Sequence, residues 1–230
     1  MLALNNIPIS EMFNIRVFYH KKSRAKYISH LDITRCMQRA LKRANLPVWY
    51  TEGFNPHIYL TFALPLALGY ESECESMDLR LMTFVEFDEV KESLNRALPP
   101  DIRVTKVALQ KNKPEVIKTA LYDVTLTNPA LKGQDLKDCL DNLFSYETID
   151  VVKRTKKGNK TIDIKPDIHI NSVEVFDHSI KISMTASAGI DKNINPNLMT
   201  DEMIGKYNLE GTQTEVMRLA VYDADGNEFE

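Results

Sequence analysis

Residues 14–45 read NIRVFYHKKSRAKYISHLDITRCMQRALKRAN, and the spacing of the apolar residues changes inside this stretch. From Asn14 to His20, the residues Ile15, Val17 and Tyr19 alternate with Arg16, Phe18 and His20, which is the period of a strand. Lys21–Arg24 (KKSR) then reads as a turn and Lys26–Ser29 as a second short extended piece. From Ser29 onward the period is helical. Ile33, Cys36, Met37, Ala40, Leu41 and Ala44 fall on one side, and Arg35, Arg39, Lys42 and Arg43 on the other. Ser29 and Asp32 form an N-cap pair of the S-x-x-D type, so the helix is expected to start there, run to Asn45 and stop before Pro47. A helix striped in this way lies against a sheet and turns its basic side to solvent.

Working outward, residues 48–70 (VWYTEGFNPHIYLTFALPLALGY) read as short strands punctuated by Gly53, Pro56, Pro65 and Gly69, with EGFNPH as an ordered loop or tight turn. Ser76–Met82 alternates as a strand, Val85–Leu98 reads as a helix ended by Pro99-Pro100, and Arg103–Leu109 as a further strand. Gln110–Glu115 (QKNKPE) is polar, carries Pro114 and is the linker candidate. The second half repeats the order without repeating the residues. Strands are expected at Leu121–Leu126, Thr148–Arg154, Lys160–Ile164, Ile168–Phe176, Ser179–Ala186 and Glu215–Tyr222, with a turn at Gly158-Asn159 and helices over Gln134–Phe144 and Pro196–Tyr207. The expected fold is α+β, two tandem ferredoxin-like (split βαβ) halves spanning 1–112 and 113–230. The alternative is one continuous mixed sheet with helices on one side.

Composition narrows the classes. The chain has 230 residues, 43% hydrophobic and 27% charged, with only 8 Gly and 10 Pro, which excludes collagen-like and low-complexity proteins. No apolar run approaches the roughly 18 residues of a membrane span, and the first residues lack the basic segment of a signal peptide; a cytoplasmic protein with no membrane partner is expected. Cys36, Cys74 and Cys139 are far apart, with no CxxC and no Cys/His cluster, so reduced thiols and neither metal nor cofactor are expected.

The net charge of -3 hides an asymmetry. Residues 14–45 hold nine basic side chains against the single acid Asp32, a local +8 that leaves -11 for the rest. Such a segment marks a face for an anionic partner, RNA or an acidic protein surface, against the plainer alternative of a solvated helix face and a basic hairpin. Phe18, Tyr19, Tyr27, Trp49, Tyr50, Phe54 and Tyr59 interleave with it, and at most two of these rings are expected to be free to stack on bases. Lys153–Lys160 (KRTKKGNK) is a second basic projection.

The run from Lys26 to Glu75 resembles the radical SAM-linked proteins, a bacterial family of unassigned function whose members sit beside or are fused behind radical SAM domains. The resemblance rests on Ser29-His30-Leu31-Asp32, on Arg35 and Arg39, on Glu52-Gly53-Phe54-Asn55-Pro56-His57, on Leu68-Gly69 with Ser72 and Glu75, and on Asp163-Ile164-Lys165-Pro166. Ile58 departs from the pattern, which places a second proline there. The resemblance implies a radical SAM protein as partner, because this chain has no CxxxCxxC of its own to ligate a cluster. Tandem ferredoxin-like halves with a basic face are also similar, by analogy of fold alone, to the RNA-handling CRISPR repeat-associated proteins.

The candidate binding residues are Lys26, His30, Arg35, Arg39, Arg43, Glu52, Asn55 and His57; no catalytic residue is assigned. His30 sits at the start of the helix, where an imidazole and free N–H groups can meet a phosphate. Glu52 is expected to orient Arg35 or Arg39. His57 either holds its loop or faces the ligand, and Asp32 is expected to act as a cap and partner of Arg35. The leading function is a non-catalytic module that presents RNA or a nucleoprotein to a radical SAM partner. The alternatives are a metal-independent ribonuclease using His20 or His30 with Lys26, and a protein–protein adaptor.

Overall fold

The structure, a computed structural model, describes residues 12–155 and 158–230. The chain folds as two units that meet in sequence at Pro114 and Glu115, with the terminal Glu230 belonging to the first.

The first unit contains strand β1 (Phe13–Lys21), helix α1 (His30–Arg43), the short strand β2 (Leu60–Phe62), strand β3 (Glu71–Leu81), helix α2 (Phe87–Ala97) and strand β4 (Ile102–Leu109). The sheet runs β4-β1-β3-β2 with every neighbour antiparallel. Ile15, Val17 and Tyr19 of β1 and Met77, Leu79 and Leu81 of β3 share one core with Ile33, Met37, Ala40 and Leu41 of α1 and with Val90 and Leu94 of α2. The alternation of the strands and the helical stripe of α1 thus meet on one face of the sheet. Both helices cover that face.

Of the expected extended piece Lys26–Ser29, only Ile28 and Ser29 are extended. Ser23–Tyr27 forms a 3₁₀ turn in which Ala25 N–H bonds Lys22 O and Ile28 N–H bonds Ala25 O, each at 3.0 Å. The chain must climb from the end of β1 to the start of α1. A tight turn does this while Ala25, 1% exposed, fills the core beneath it.

The second unit contains β5 (Thr119–Thr127), α3 (Gly133–Ser145), the hairpin β6 (Asp150–Thr155) and β7 (Gly158–Asp163), then β8 (Ile168–Val175), β9 (Ser179–Ser187), α4 (Asn197–Tyr207) and β10 (Gln213–Tyr222). Its sheet runs β10-β5-β9-β8, again antiparallel throughout, with the β6-β7 hairpin outside it. Thr155 pairs with Gly158, so Gly158-Asn159 lies within β7 and is not the turn. Gly133 opens α3 at a point where a Cβ would come within 2.0 Å of Phe176 O; only glycine lets that helix rest on the β8-β9 connection. Both units are α+β with antiparallel sheets. Among the described residues no helix is long and apolar enough to cross a membrane.

On the sheet face away from α1, Arg16 is fully buried and forms a two-pronged pair with Asp78 directly across from it on β3: Nε to Oδ1 at 2.7 Å, Nη2 to Oδ2 at 2.9 Å. Arg16 also donates to Asn112 O and Glu230 O, at 2.7 and 2.8 Å, and Gln110 Nε2 donates to Asp78 Oδ2 at 2.8 Å. Breaking such a pair leaves a charge buried and unmatched. Asp78→Ala is therefore expected to lower the unfolding free energy by about 3–5 kcal/mol, measured by urea denaturation; a loss below about 1 kcal/mol, the scale of a surface pair, contradicts the reading.

Hydrogen bonds from Lys106 and Lys111, each at 2.8 Å, pull the Glu230 carboxyl down to about 2. A carboxyl lowered on folding stabilises above its ordinary range and loses that contribution as the pH falls through its folded value. Carboxyl NMR is expected to show Glu230 titrating at about 2 in the protein and returning toward the ordinary glutamate range in the Lys106→Met/Lys111→Met double variant.

Candidate functional site

Helix α1 begins as its sequence dictates. The Asp32 N–H donates to Ser29 Oγ at 3.2 Å, and the Ser29 hydroxyl donates to Asp32 Oδ2 at 2.8 Å. That hydroxyl, followed by Arg35, holds the Asp32 carboxyl below its ordinary range. Arg35 reaches Asp32 at 3.2 Å, with both side chains well exposed, so Asp32 is the cap and the i,i+3 partner. Arg39 is exposed and makes no ion pair among the described residues. Lys42 lies 5.8 Å from the centre of the Tyr50 ring, and Arg43 donates to Ala97 O at 2.7 Å.

The positive surface is smaller than the sequence count. Arg16 and Lys21 are buried, Lys22 pairs with Glu73, and Arg24 reaches Asp101 at 3.5 Å. The outward cations of α1 are Arg35, Arg39, Lys42 and Arg43.

Tyr50 bridges to Ile58, and Thr51 N–H donates to His57 O at 2.8 Å, which pinches residues 52–56 into a closed loop. Inside it, His57 N–H donates to Thr51 Oγ1 at 3.2 Å, and His57 Nδ1 lies 3.0 Å from Thr51 Oγ1 and 3.2 Å from Asn55 O. His57 therefore holds the loop. Glu52 is exposed and pairs with neither Arg35 nor Arg39, contrary to expectation: the Thr51–His57 contacts close the loop through its own backbone, with no arginine needed. The Asn55 contribution is its carbonyl. At the loop tip Phe54 is entirely exposed, at 105%. Tyr27 and Tyr50 are exposed as well, but Lys26 and Lys42 lie over their rings. Trp49 and Tyr59 are occupied instead by Arg80, 5.1 and 4.4 Å from their centres.

The N-terminal end of α1 overlies a feature the sequence reading missed. Tyr19, Lys21, Ile28, His30, Ile33, Phe62, Pro65, Leu66 and Glu75 line a narrow crevice. Lys21 and Glu75 are 3% and 4% exposed, on the core side of β1 and β3, and Lys21 Nζ donates to Ile28 O at 3.3 Å. His30 stands at the rim, edge-on to Phe62 with centres 5.1 Å apart. The signal was present: Lys21 continues the phase of Ile15, Val17 and Tyr19, and Glu75 that of Met77 and Leu79. It was lost because the expected strands ended at His20 and began at Ser76. His20 alternates with Tyr19 and Lys21 and so points to the opposite face from His30; burial, then Lys22, lowers its pKa. Lys26 is half-buried in the 3₁₀ turn, 5.5 Å above the Tyr27 ring, and its carbonyl accepts from Gly69. The three cysteines are thiols, not disulfides, with the Cys36 thiol pushed up by burial.

In the second unit Lys153 donates to Asn193 O at 2.8 Å. The remainder of the basic projection at Arg154–Lys157 lies outside the described side chains.

Comparison with protein families matches residues 14–196, most of the chain, to the family described as "Uncharacterized protein conserved in bacteria (DUF2344)". The chain belongs to that family. The match covers the α1 cap, the 52–57 loop and the Asp163–Pro166 element together, and the description of DUF2344 mentions no radical SAM chemistry. No curated protein matches. Among solved structures, a Cbf5-Nop10-Gar1 complex matches with TM-score 0.47 and 10% identity over 91% of this chain and 49% of that one. The chain thus spans about half the length of that relative. An unknown protein from Galdieria sulphuraria matches with TM-score 0.27 and 10% identity over 90% of this chain and 99% of that one. Likenesses this distant carry no argument about fold or function.

The Asn55 carbonyl can only accept, so the proton of neutral His57 resides on Nδ1 and its Nε2 lone pair faces outward. Nitrogen NMR of the imidazole is expected to show the Nδ1–H tautomer, with Thr51→Val weakening that preference; a dominant Nε2–H form contradicts the loop geometry.

Proposed function

We propose that this chain is a non-catalytic binding module that grips single-stranded RNA along the outer side of α1 and presents it to a partner. The observation behind the reading is the exposed row of Arg35, Arg39, Lys42 and Arg43 beside a pinned loop whose tip, Phe54, is fully exposed. The cations neutralise phosphates, and a ring held out by a closed loop offers a face to an unpaired base. Lys42 over Tyr50 ties the two surfaces together.

Two finer statements belong to the same proposal. Each unit is a ferredoxin-like half, a reading supported by the repetition of one strand order, β4-β1-β3-β2 and β10-β5-β9-β8. The partner is a radical SAM protein in the bacterial cytoplasm, which rests on the resemblance of the SHLD and GFNPH elements alone. A ribonuclease using His20 or His30 with Lys26 has less support: the Lys26 ammonium lies over the Tyr27 ring and His30 packs edge-on to Phe62. The adaptor reading is favoured by one observation: Leu31 in the first turn of α1, and Leu68, whose neighbour Gly69 donates to Lys26 O, are exposed at 67% and 64%.

Titration of fluorescent single-stranded RNA at two salt concentrations tests the proposal. Binding is expected to weaken steeply with salt and to fall on the order of tenfold or more in Arg35→Glu and Arg39→Glu. Phe54→Ala is expected to cost about 1–3 kcal/mol, the worth of one stacked base, with the salt slope unchanged. RNA affinity that is absent, or indifferent to all three changes, favours the adaptor.

A further inference from the structure

Past the last turn of α1, the basic row runs into a cleft between the C-terminal turns of α1 and α2. Arg43, Ala44, Ser93, Arg96 and Ala97 line a hollow of about 240 Å³. At roughly 30 Å³ per water, that is room for a phosphate group with part of what it is attached to. Two guanidinium groups border it, and each is already held. Arg43 spends one N–H on Ala97 O, which leaves most of its five donors available. Arg96 donates to Ser93 Oγ at 2.9 Å, so the Ser93 hydroxyl keeps its own hydrogen to offer.

Two features oppose an anion here. The carbonyl ends of two helices bring partial negative charge, of which the Arg43–Ala97 bond already answers one group. Glu92 lies 3.8 Å from Arg96, with side chains 72% and 70% exposed, and a pair that open to water is weak. An incoming phosphate, able to accept two parallel bonds from one guanidinium, competes well against it. The small side chains of Ala44 and Ala97 leave the hollow open.

We propose that this cleft is a phosphate-binding site, with Arg43, Arg96 and Ser93 as donors. Its ligand is either a backbone phosphate of RNA or the phosphate of a free small molecule. Assignment to RNA rests on the function proposed above. Arg35, Arg39 and Arg43 recur every fourth residue, about 6 Å apart along the helix axis, and the cleft continues that row across to α2.

Two probes separate the sources: inorganic pyrophosphate, followed through the arginine Nε resonances, and single-stranded RNA, followed by fluorescence anisotropy at two salt concentrations. Pyrophosphate is expected to shift Arg43 and Arg96 saturably, and Arg96→Ala to abolish the shift at Arg43. In the RNA arm, Arg96→Ala is expected to weaken binding several-fold and to make the log–log salt slope shallower by about 0.7, the release for one phosphate of a single strand. Arg96 is the informative position because its side chain is mostly exposed and its bond to Ser93 stays within α2, whereas Arg43→Ala removes the bond to Ala97 that joins α1 to α2. No saturable pyrophosphate shift, with RNA affinity indifferent to Arg96→Ala, overturns the cleft; if that RNA binding still depends on Arg35 and Arg39, the RNA reading stands without it. Saturation by pyrophosphate in a protein that does not bind RNA keeps the cleft as a site for a small phosphorylated molecule and removes the RNA reading.

Discussion

The two-pronged bond between Arg16 and Asp78 constrains the first unit more than any other contact. A guanidinium with no exposure in the middle of a sheet tolerates one partner geometry, and that geometry sets Arg16 opposite Asp78. A slip of one residue would turn every side chain of β1 to the wrong face. With the register held, Val17 meets Met77 and Tyr19 meets Glu75, and the crevice under His30 takes shape. The same arginine binds the carbonyl of Asn112, so the segment leaving β4 is anchored to the centre of the sheet.

The basic side of α1 is a consequence of burial combined with composition. Ile33, Met37, Ala40 and Leu41 go into the core, and what remains outward is Arg35, Arg39, Lys42 and Arg43. These four are not equivalent. Arg35 is partly answered by Asp32; Lys42 and Arg43 sit in the last turn, where cations complement the helix dipole and Arg43 also bonds α2. Arg39 has no such role within the fold. Arg39 stays exposed on the outer side of α1 and makes no ion pair among the described residues.

The loop at 52–57 shows how a polar motif divides its labour. Thr51 and His57 close it, Asn55 contributes a carbonyl, and Glu52 and Phe54 are left outside. The residues whose types look most chemical, a histidine and an asparagine, hold the shape; the phenylalanine that shape displays carries the surface.

Local rules alone account for α1, its Ser29 cap, the strand cores and the order of elements in each unit, because period, capping and turn residues act between neighbours a few positions apart. The α+β class follows from them. Pairings between residues distant in the chain settle the rest: that Arg16 and Lys21 are buried and so leave the basic face, that Glu52 stands apart from the arginines, and that Lys21 and Glu75 line one crevice. The meeting of Arg43 with Arg96 belongs here too, for the α1 and α2 C-termini come together only once both helices lie on the same sheet. Charge counted along the chain assigns each of these residues the same weight; register and packing assign them different ones.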